Sequence, residues 1–106
     1  MLKHIMIDLE MNKIKKQYRD DKKLANELIE IGAVKMDDDF NEVDRYQSYV
    51  MPDYGKMDSH IIKLTGITDE KLEGAPRFKD AMQDFEKWIG GGAVTFYSWS
   101  MADIRQ

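Results

Sequence analysis

The first half of the chain contains three segments rich in apolar residues or tyrosine, separated by polar segments. The first covers residues 4–11, the second covers 27–36, and the third covers 44–50 and ends just before Pro52. Runs of this length, rich in Ile, Val and Tyr, predict strands, and the acidic segment 37–41 has the composition of a reversing turn. The pattern therefore predicts an antiparallel meander of three strands.

The second half of the chain changes to helical spacing. Ser59 is a candidate N-cap for a short apolar turn over residues 60–64, and Thr68 is a candidate N-cap for a second short helix. A longer helix is predicted over 76–89, begun by its proline and stopped by Gly90. The apolar residues of this helix recur along one stripe, which predicts a face packed against the sheet. They are Phe78, Ala81, Met82, Phe85, Trp88 and Ile89.

A fourth apolar run covers residues 93–97, and Ser98 or Ser100 is a candidate cap for a last helix. A meander, a crossover helix and a further strand make an α/β arrangement with helices packed on a mixed sheet. The chain has 106 residues, which fits one small domain. We therefore expect a single α/β domain over residues 1–106.

The composition narrows the class of protein. The chain has no cysteine and no long apolar segment, so we expect a cytoplasmic protein without disulfides or a membrane span. The net charge of −4 argues against a protein that coats nucleic acid through a broad basic surface. Residues 13–23 nevertheless contain six basic and two acidic side chains. This segment either guides a polynucleotide backbone or, as we favour, is a solvated loop.

Two carboxylates, Asp8 and Glu10, lie one residue apart inside the first apolar run. Because side chains alternate along a strand, both point to the same face, with α-carbons roughly 6.5–7 Å apart. Ionised groups in a buried strand need a compensating partner such as a metal ion. Paired divalent ions held by carboxylates serve the hydrolysis of phosphodiesters. The alternative is a strand end whose acidic side chains emerge into solvent.

A third carboxylate, Asp103, follows the fourth predicted strand in the first turn of the last predicted helix. Sites in α/β sheets gather at strand ends, so Asp103 would join Asp8 and Glu10 if the first and fourth strands are neighbours. On spacing alone, we favour the simpler explanation that Asp103 is an ordinary acidic residue at a helix N-terminus.

Five segments, taken in order, resemble the amino-terminal part of a DEDD-superfamily (DnaQ-like) 3′-to-5′ exonuclease domain, most closely the branch of KapD and the Eri1-like exoribonucleases. Residues 5–10 match the first family motif, and 27–34 match the second strand. Residues 49–52 match the end of the third strand, 64–68 the connection that walls the nucleotide pocket, and 98–103 the second motif. The matches run across nearly the whole chain.

The resemblance implies an RNase H-like mixed sheet, with three antiparallel strands followed by a parallel strand, that is incomplete at the C-terminus. It also implies a two-metal mechanism on the 3′ end of single-stranded RNA or DNA. Asp8, Glu10 and Asp103 would hold two Mg²⁺ or Mn²⁺ ions. The remaining residues implied by the family would contact the terminal sugar and base: Leu9, Met11, Thr65, Gly66 and Ile67.

The chain departs from the family pattern after Asp103. The third motif, which supplies the general-base histidine and a fourth carboxylate, is not among these residues, and neither His4 nor His60 occupies its place. We therefore expect weak or absent activity from this polypeptide, and a homo-oligomer formed through uncovered apolar surface. The alternative function is a non-catalytic fragment or pseudo-enzyme that serves as a binding or assembly module.

Overall fold

A computed structural model describes residues 3–14, 26–53 and 56–98. Four strands form one sheet in the order β3-β2-β1-β4. The first three strands pair antiparallel, and β4 lies parallel beside β1. The strands are β1 (Lys3–Lys13), β2 (Asn26–Met36), β3 (Glu42–Tyr49) and β4 (Val94–Ser98), and the helices are α1 (Ser59–Thr65), α2 (Asp69–Leu72) and α3 (Phe78–Ile89). The predicted meander, crossover helix and parallel fourth strand are confirmed.

The main core lies between the sheet and α3. Ile5, Ile31 and Ala33 of the sheet pack against Ala81 and Phe85 of the helix, and each of these side chains is buried. Complete burial of a side chain such as that of Ile5 contributes about 1.5–3 kcal/mol. The predicted apolar stripe is thus confirmed for most of α3. Phe78 is the exception, because at 52% exposure it stands outside the core at the first turn.

A second, smaller core joins the sheet to the two short helices. Ile29 of β2 packs there with Met57, Ile67 and Leu72, all of them buried. This cluster lies where the pairing of β1 with β2 shifts register, between Glu10 and the residue that follows it. Such a bulge bends the strand locally and redirects side chains. The short helices are therefore attached beside the end of β1 that carries the acidic residues.

The helix ends correct two details of the sequence prediction. Asp58, rather than Ser59, caps α1, and its side chain accepts a hydrogen bond from the backbone N–H of His60. A carboxylate at this position accepts a hydrogen bond from an otherwise unpaired backbone N–H group. Its negative charge also interacts favourably with the positive end of the helix dipole. Helix α3 begins at Phe78, two residues after the proline. The predicted caps Thr68 of α2 and Gly90 of α3 are confirmed.

Two lysines tie the sheet to the C-terminal end of α3. The Lys3 ammonium donates to the carbonyl oxygens of Ile89 and Gly91, at 3.0 and 2.7 Å. The Lys35 ammonium donates to the carbonyl oxygen of Trp88 at 2.6 Å and lies 4.5 Å from the centre of its ring. Cations at the last carbonyl groups stabilise a helix end. These contacts lock the crossover helix in place.

Candidate active site

The two carboxylates of β1 lie on the sheet face that turns away from α3. Asp8 stands opposite Gly32 of β2, and Glu10 stands opposite Glu30. The apolar neighbours Ile5 and Ile7 pack on the α3 side, so alternation places the two acids on the other face. The carboxyl groups were expected inside a buried strand, but Asp8 is exposed and Glu10 is half-buried. The reason is that this face is open among the described residues.

Glu30 is a third acidic side chain at this position, and sequence reasoning did not identify it. Its α-carbon pairs directly with that of Glu10, and its carboxylate accepts a hydrogen bond from the Gln47 side chain at 2.8 Å. Like charges that face each other across two strands destabilise a sheet. A cation near this pair would reverse that cost. Glu30 is identified by the register of β2 against β1, which is known only once the two strands are paired.

The donor set fits a hard divalent cation, because carboxylate oxygens are the ligands that Mg²⁺ and Mn²⁺ prefer. Asp8 and Glu10 share one face and lie one residue apart on a paired strand. No group of three acidic or histidine side chains is arranged to hold an ion among residues 3–14, 26–53 and 56–98. The third predicted ligand, Asp103, lies outside the described residues, as does most of the basic segment 13–23.

The predicted pocket wall is a tightly bonded turn between α1 and α2. The Thr65 hydroxyl donates to the carbonyl oxygen of Ile61 and accepts from the backbone N–H of Ile67. Gly66 has a positive φ of 74°, a conformation that favours glycine. The Lys71 ammonium donates to the carbonyl oxygen of Gly66 at 2.9 Å. The wall is therefore held in shape by its own hydrogen bonds.

The five predicted nucleotide contacts do not share one surface. Gly66 is exposed and Thr65 is half-buried, whereas Ile67 is only 3% exposed and belongs to the second core. The side chains of Leu9 and Met11 lie on the α3 face, opposite to the carboxylates. There they line an apolar cavity of about 330 Å³ together with Ile7, Leu28, Ile31, Phe78, Met82 and Phe85. The cavity lined by Leu9 and Met11 contains none of the three residues of the predicted wall, so the two groups of predicted contacts belong to different parts of the fold.

The two histidines lie apart from this site. His4 is buried at the opposite end of β1, where its ring nitrogens contact the Tyr97 hydroxyl at 2.9 Å and the Asp38 carboxylate at 3.1 Å. Phe40 covers the imidazole ring, with centroids 4.8 Å apart. His60 is exposed in the first turn of α1. His4 therefore joins the turn after β2 to the edge strand β4.

A family model described as an exonuclease, of the RNase T type, matches residues 5–103. The chain therefore belongs to this exonuclease family, which is part of the DEDD superfamily. The PolC-type DNA polymerase III of Staphylococcus haemolyticus is 30% identical to it over 87 residues. That alignment covers 82% of this chain and 5% of the polymerase, so the chain spans about a twentieth of that relative's length.

Solved structures of nucleases share the fold. The nuclease domain of 3′hExo, a DEDDh family member bound to rAMP, superposes with a TM-score of 0.72 at 22% identity, covering 95% of this chain and 55% of that one. Escherichia coli exonuclease I in complex with a dT13 oligonucleotide gives a TM-score of 0.71 at 13% identity, covering 93% of this chain and 20% of that one. The mixed sheet is thus the RNase H-like exonuclease fold. Within the described residues, no helix is long and apolar enough to span a membrane.

Proposed function

We propose that this chain contributes the first two motifs of a 3′-to-5′ exonuclease that hydrolyses the terminal phosphodiester of single-stranded RNA or DNA. The observation that carries the proposal is the position of Asp8 and Glu10. They share the open sheet face, in a chain of the exonuclease family. The sheet is fastened to α3 on its other face, so the carboxylates are mounted on a rigid support.

Asp8, Glu10 and Asp103 would hold two Mg²⁺ or Mn²⁺ ions. When bound, such ions activate a water molecule and stabilise the leaving oxygen of the phosphodiester. Groups of the protein itself would position the terminal nucleotide of the substrate. The exposed backbone at Gly66 and the half-buried Thr65 would hold the terminal nucleotide, and their internal hydrogen bonds keep that surface preorganised.

A non-catalytic binding or assembly module is the second candidate function. Among the described residues, Asp8 and Glu10 are the predicted ligands present, and no group of three acidic or histidine side chains there is arranged to hold an ion. The general-base motif of the family is also not among the 106 residues. Loss of a general base typically lowers the reaction rate by about 10²- to 10⁴-fold. We therefore expect this polypeptide by itself to be feeble.

Degradation of a 5′-labelled single-stranded RNA, and of its DNA counterpart, in Mn²⁺ tests the proposal. EDTA and Asp8→Ala serve as controls. A ladder of products shortened from the 3′ end, absent in both controls, supports the exonuclease. Binding of the labelled strands without any ladder supports the non-catalytic module. Comparing the two strands measures the preference for a 2′-hydroxyl.

Self-association and a cytoplasmic location stay predictions. Self-association is supported by exposed apolar side chains on several elements, among them Val43 of the edge strand β3 and Phe96 of β4, at 59% and 51% exposure. The edge of a sheet also presents unpaired backbone groups that can pair with another chain. Sedimentation velocity over a range of concentrations measures the oligomeric state.

A further inference from the structure

Asn12 is a buried amide near the end of β1, two residues beyond Glu10. Its side chain is only 1% exposed, and it is one of two polar or charged residues buried among the described residues. Burying an amide is costly unless its groups are hydrogen-bonded. A polar side chain at this depth therefore has specific partners, and its partners show what it holds.

Both ends of the Asn12 amide reach a distant part of the chain. Its Oδ1 accepts a hydrogen bond from the backbone N–H of Asp58 at 2.9 Å, and its Nδ2 donates to the carbonyl oxygen of Lys56 at 3.4 Å. Asp58 is the N-cap of α1. Asn12 thus joins the strand that carries the carboxylates to the N-cap of the helix that leads to the pocket wall.

The same segment is held from its other side by α2. The backbone N–H of Met57 donates to Asp69 Oδ1 at 3.0 Å. Helix α1 has seven residues and buries none of them fully. A helix this short is marginal without tertiary contacts. The hydrogen bonds at residues 56–58 therefore act together with the second core to fix where α1, and the turn at Thr65 and Gly66 that follows it, stands relative to β1.

We propose that Asn12 is a positioning residue that sets the nucleotide-binding wall at a fixed distance from Asp8 and Glu10. This inference rests on the proposed function. Asn12 faces backbone groups with both ends of its amide, so it acts on the wall and does not touch the substrate. Its substitution should weaken nucleotide binding while metal binding at the carboxylates is retained.

The variants Asn12→Val and Asn12→Thr test the proposal in the whole 106-residue chain. The two side chains have the same shape, but only Thr carries a hydroxyl that can accept and donate. Ile31→Val is the control for lost stability, since Ile31 belongs to the α3 core rather than to the cluster that joins the short helices to the sheet. Three quantities are measured: Mn²⁺ affinity, AMP affinity in saturating Mn²⁺, and the hydrogen-exchange rate of the Gly66 amide.

We expect Asn12→Val to weaken AMP binding by about tenfold or more. Losses of this size are typical when a residue that supports metal-binding side chains without binding the ion itself is changed. Mn²⁺ affinity should stay unchanged, Gly66 exchange should accelerate, and Asn12→Thr should recover most of the AMP affinity. Equal AMP affinity and equal exchange in the Val, Thr and unmodified chains would overturn the proposal. A parallel loss of AMP and Mn²⁺ binding, matching that of Ile31→Val at the same stability, would also overturn it.

Asp69→Ala provides the test if Asn12→Val does not fold. Asp69 is exposed, and its removal releases the other side of the same segment. Faster Gly66 exchange with weakened AMP binding supports the proposal, and no change in either overturns it. Failure of the unmodified chain to bind AMP in Mn²⁺ contradicts the proposed function instead, and the Gly66 exchange rates then decide the role of Asn12.

Discussion

The two faces of β1 differ in nearly every physical respect. On one face Ile5 is completely buried against α3, and Ile7 packs beside it. On the other face Asp8 is exposed, and Glu10 faces Glu30 across the sheet. The first face stabilises the fold, whereas the second brings acidic side chains close together in the sheet. The contrast teaches that alternation alone lets one strand present a packed apolar face and an acidic face.

The separation also explains how the site stays rigid without being buried. Asp8 is exposed and Glu10 is half-buried, so their position is not secured by close packing around them. It is secured from behind, by the core under β1 and by the lysine contacts to the end of α3. Substitutions on the buried face should therefore lower the free energy of unfolding. Substitutions of the carboxylates should lower the affinity for metal ions and leave the fold intact.

The largest expected effect is that of Ile5→Ala on the buried face. Ile5 has no exposed surface, and its truncation leaves a cavity in the main core. Substitutions of this kind cost about 2–5 kcal/mol of unfolding free energy, a large share of the stability of a small domain. Urea denaturation followed by circular dichroism measures the loss. Val43→Thr, at a 59% exposed position, is the control and should change little.

The next effect is functional and belongs to the open face. Asp8→Ala should leave the fold intact, since Asp8 is exposed, and should reduce Mn²⁺ affinity by at least about tenfold, the lower range even for indirect metal partners. Isothermal titration with Mn²⁺ measures the affinity. Asp39→Ala removes an exposed carboxylate from the turn after β2 and should leave Mn²⁺ binding unchanged. Loss of folding in both Asp8→Ala and Glu10→Ala would refute the metal-site interpretation.

Gly90→Ala, at the end of α3, should lower the free energy of unfolding by less than Ile5→Ala does. Gly90 has φ 77° and ψ −173°, a region that is essentially restricted to glycine, and an added Cβ would lie 2.9 Å from the Lys3 ammonium. Such backbone strain costs about 1–3 kcal/mol. The neighbouring Gly91→Ala is a matched control, because its Cβ would meet nothing within 4 Å. A thermal melt that shows equal losses in both variants would contradict this account.

The smallest effect concerns Asp44 on β3. The backbone N–H of Arg45, and then the Trp88 indole N–H at 2.9 Å, lower the pKa of Asp44 below its ordinary value of 3.8. A lowered pKa in the folded state gives stability that is present above 3.8 and is lost as pH falls through the folded value. Asp44→Asn should therefore flatten the acid side of the stability profile slightly. An unchanged profile between pH 2 and 5, roughly the range in which a shifted carboxylate titrates, would contradict the assignment.

Much of the fold could be predicted from sequence, because the relevant physics is local. The apolar runs gave β1, β2, β3 and β4 within about two residues, the usual uncertainty of strand ends. The stripe of α3 identified its buried face through the 3.6-residue period, apart from Phe78 at the first turn. The cap of α1 was misplaced by one residue, since Ser59 and Asp58 are both good capping residues and only backbone geometry distinguishes them.

The candidate site could be predicted only in part from the sequence. Asp8 and Glu10 stood out because two acids in an apolar run conflict with burial, and alternation alone put them on one face. That Asp8 is exposed, that Ile67 is buried in the second core, and that Leu9 and Met11 face α3 were decided by packing. A motif specifies which residues are near in sequence, but it does not specify which of them a neighbouring helix covers.

The sequence by itself determined the elements, the buried stripe and the acidic pair through spacing within single segments, and it indicated the family through the resemblance of five segments taken in order. Only the tertiary structure decided that Glu30 stands opposite Glu10 and that Asn12 bonds to Lys56 and Asp58. Those pairs are separated by 20 to 46 residues along the chain. The register of one strand against another, and the contact of a strand with a remote loop, depend on the packing of the whole domain, which local patterns do not encode.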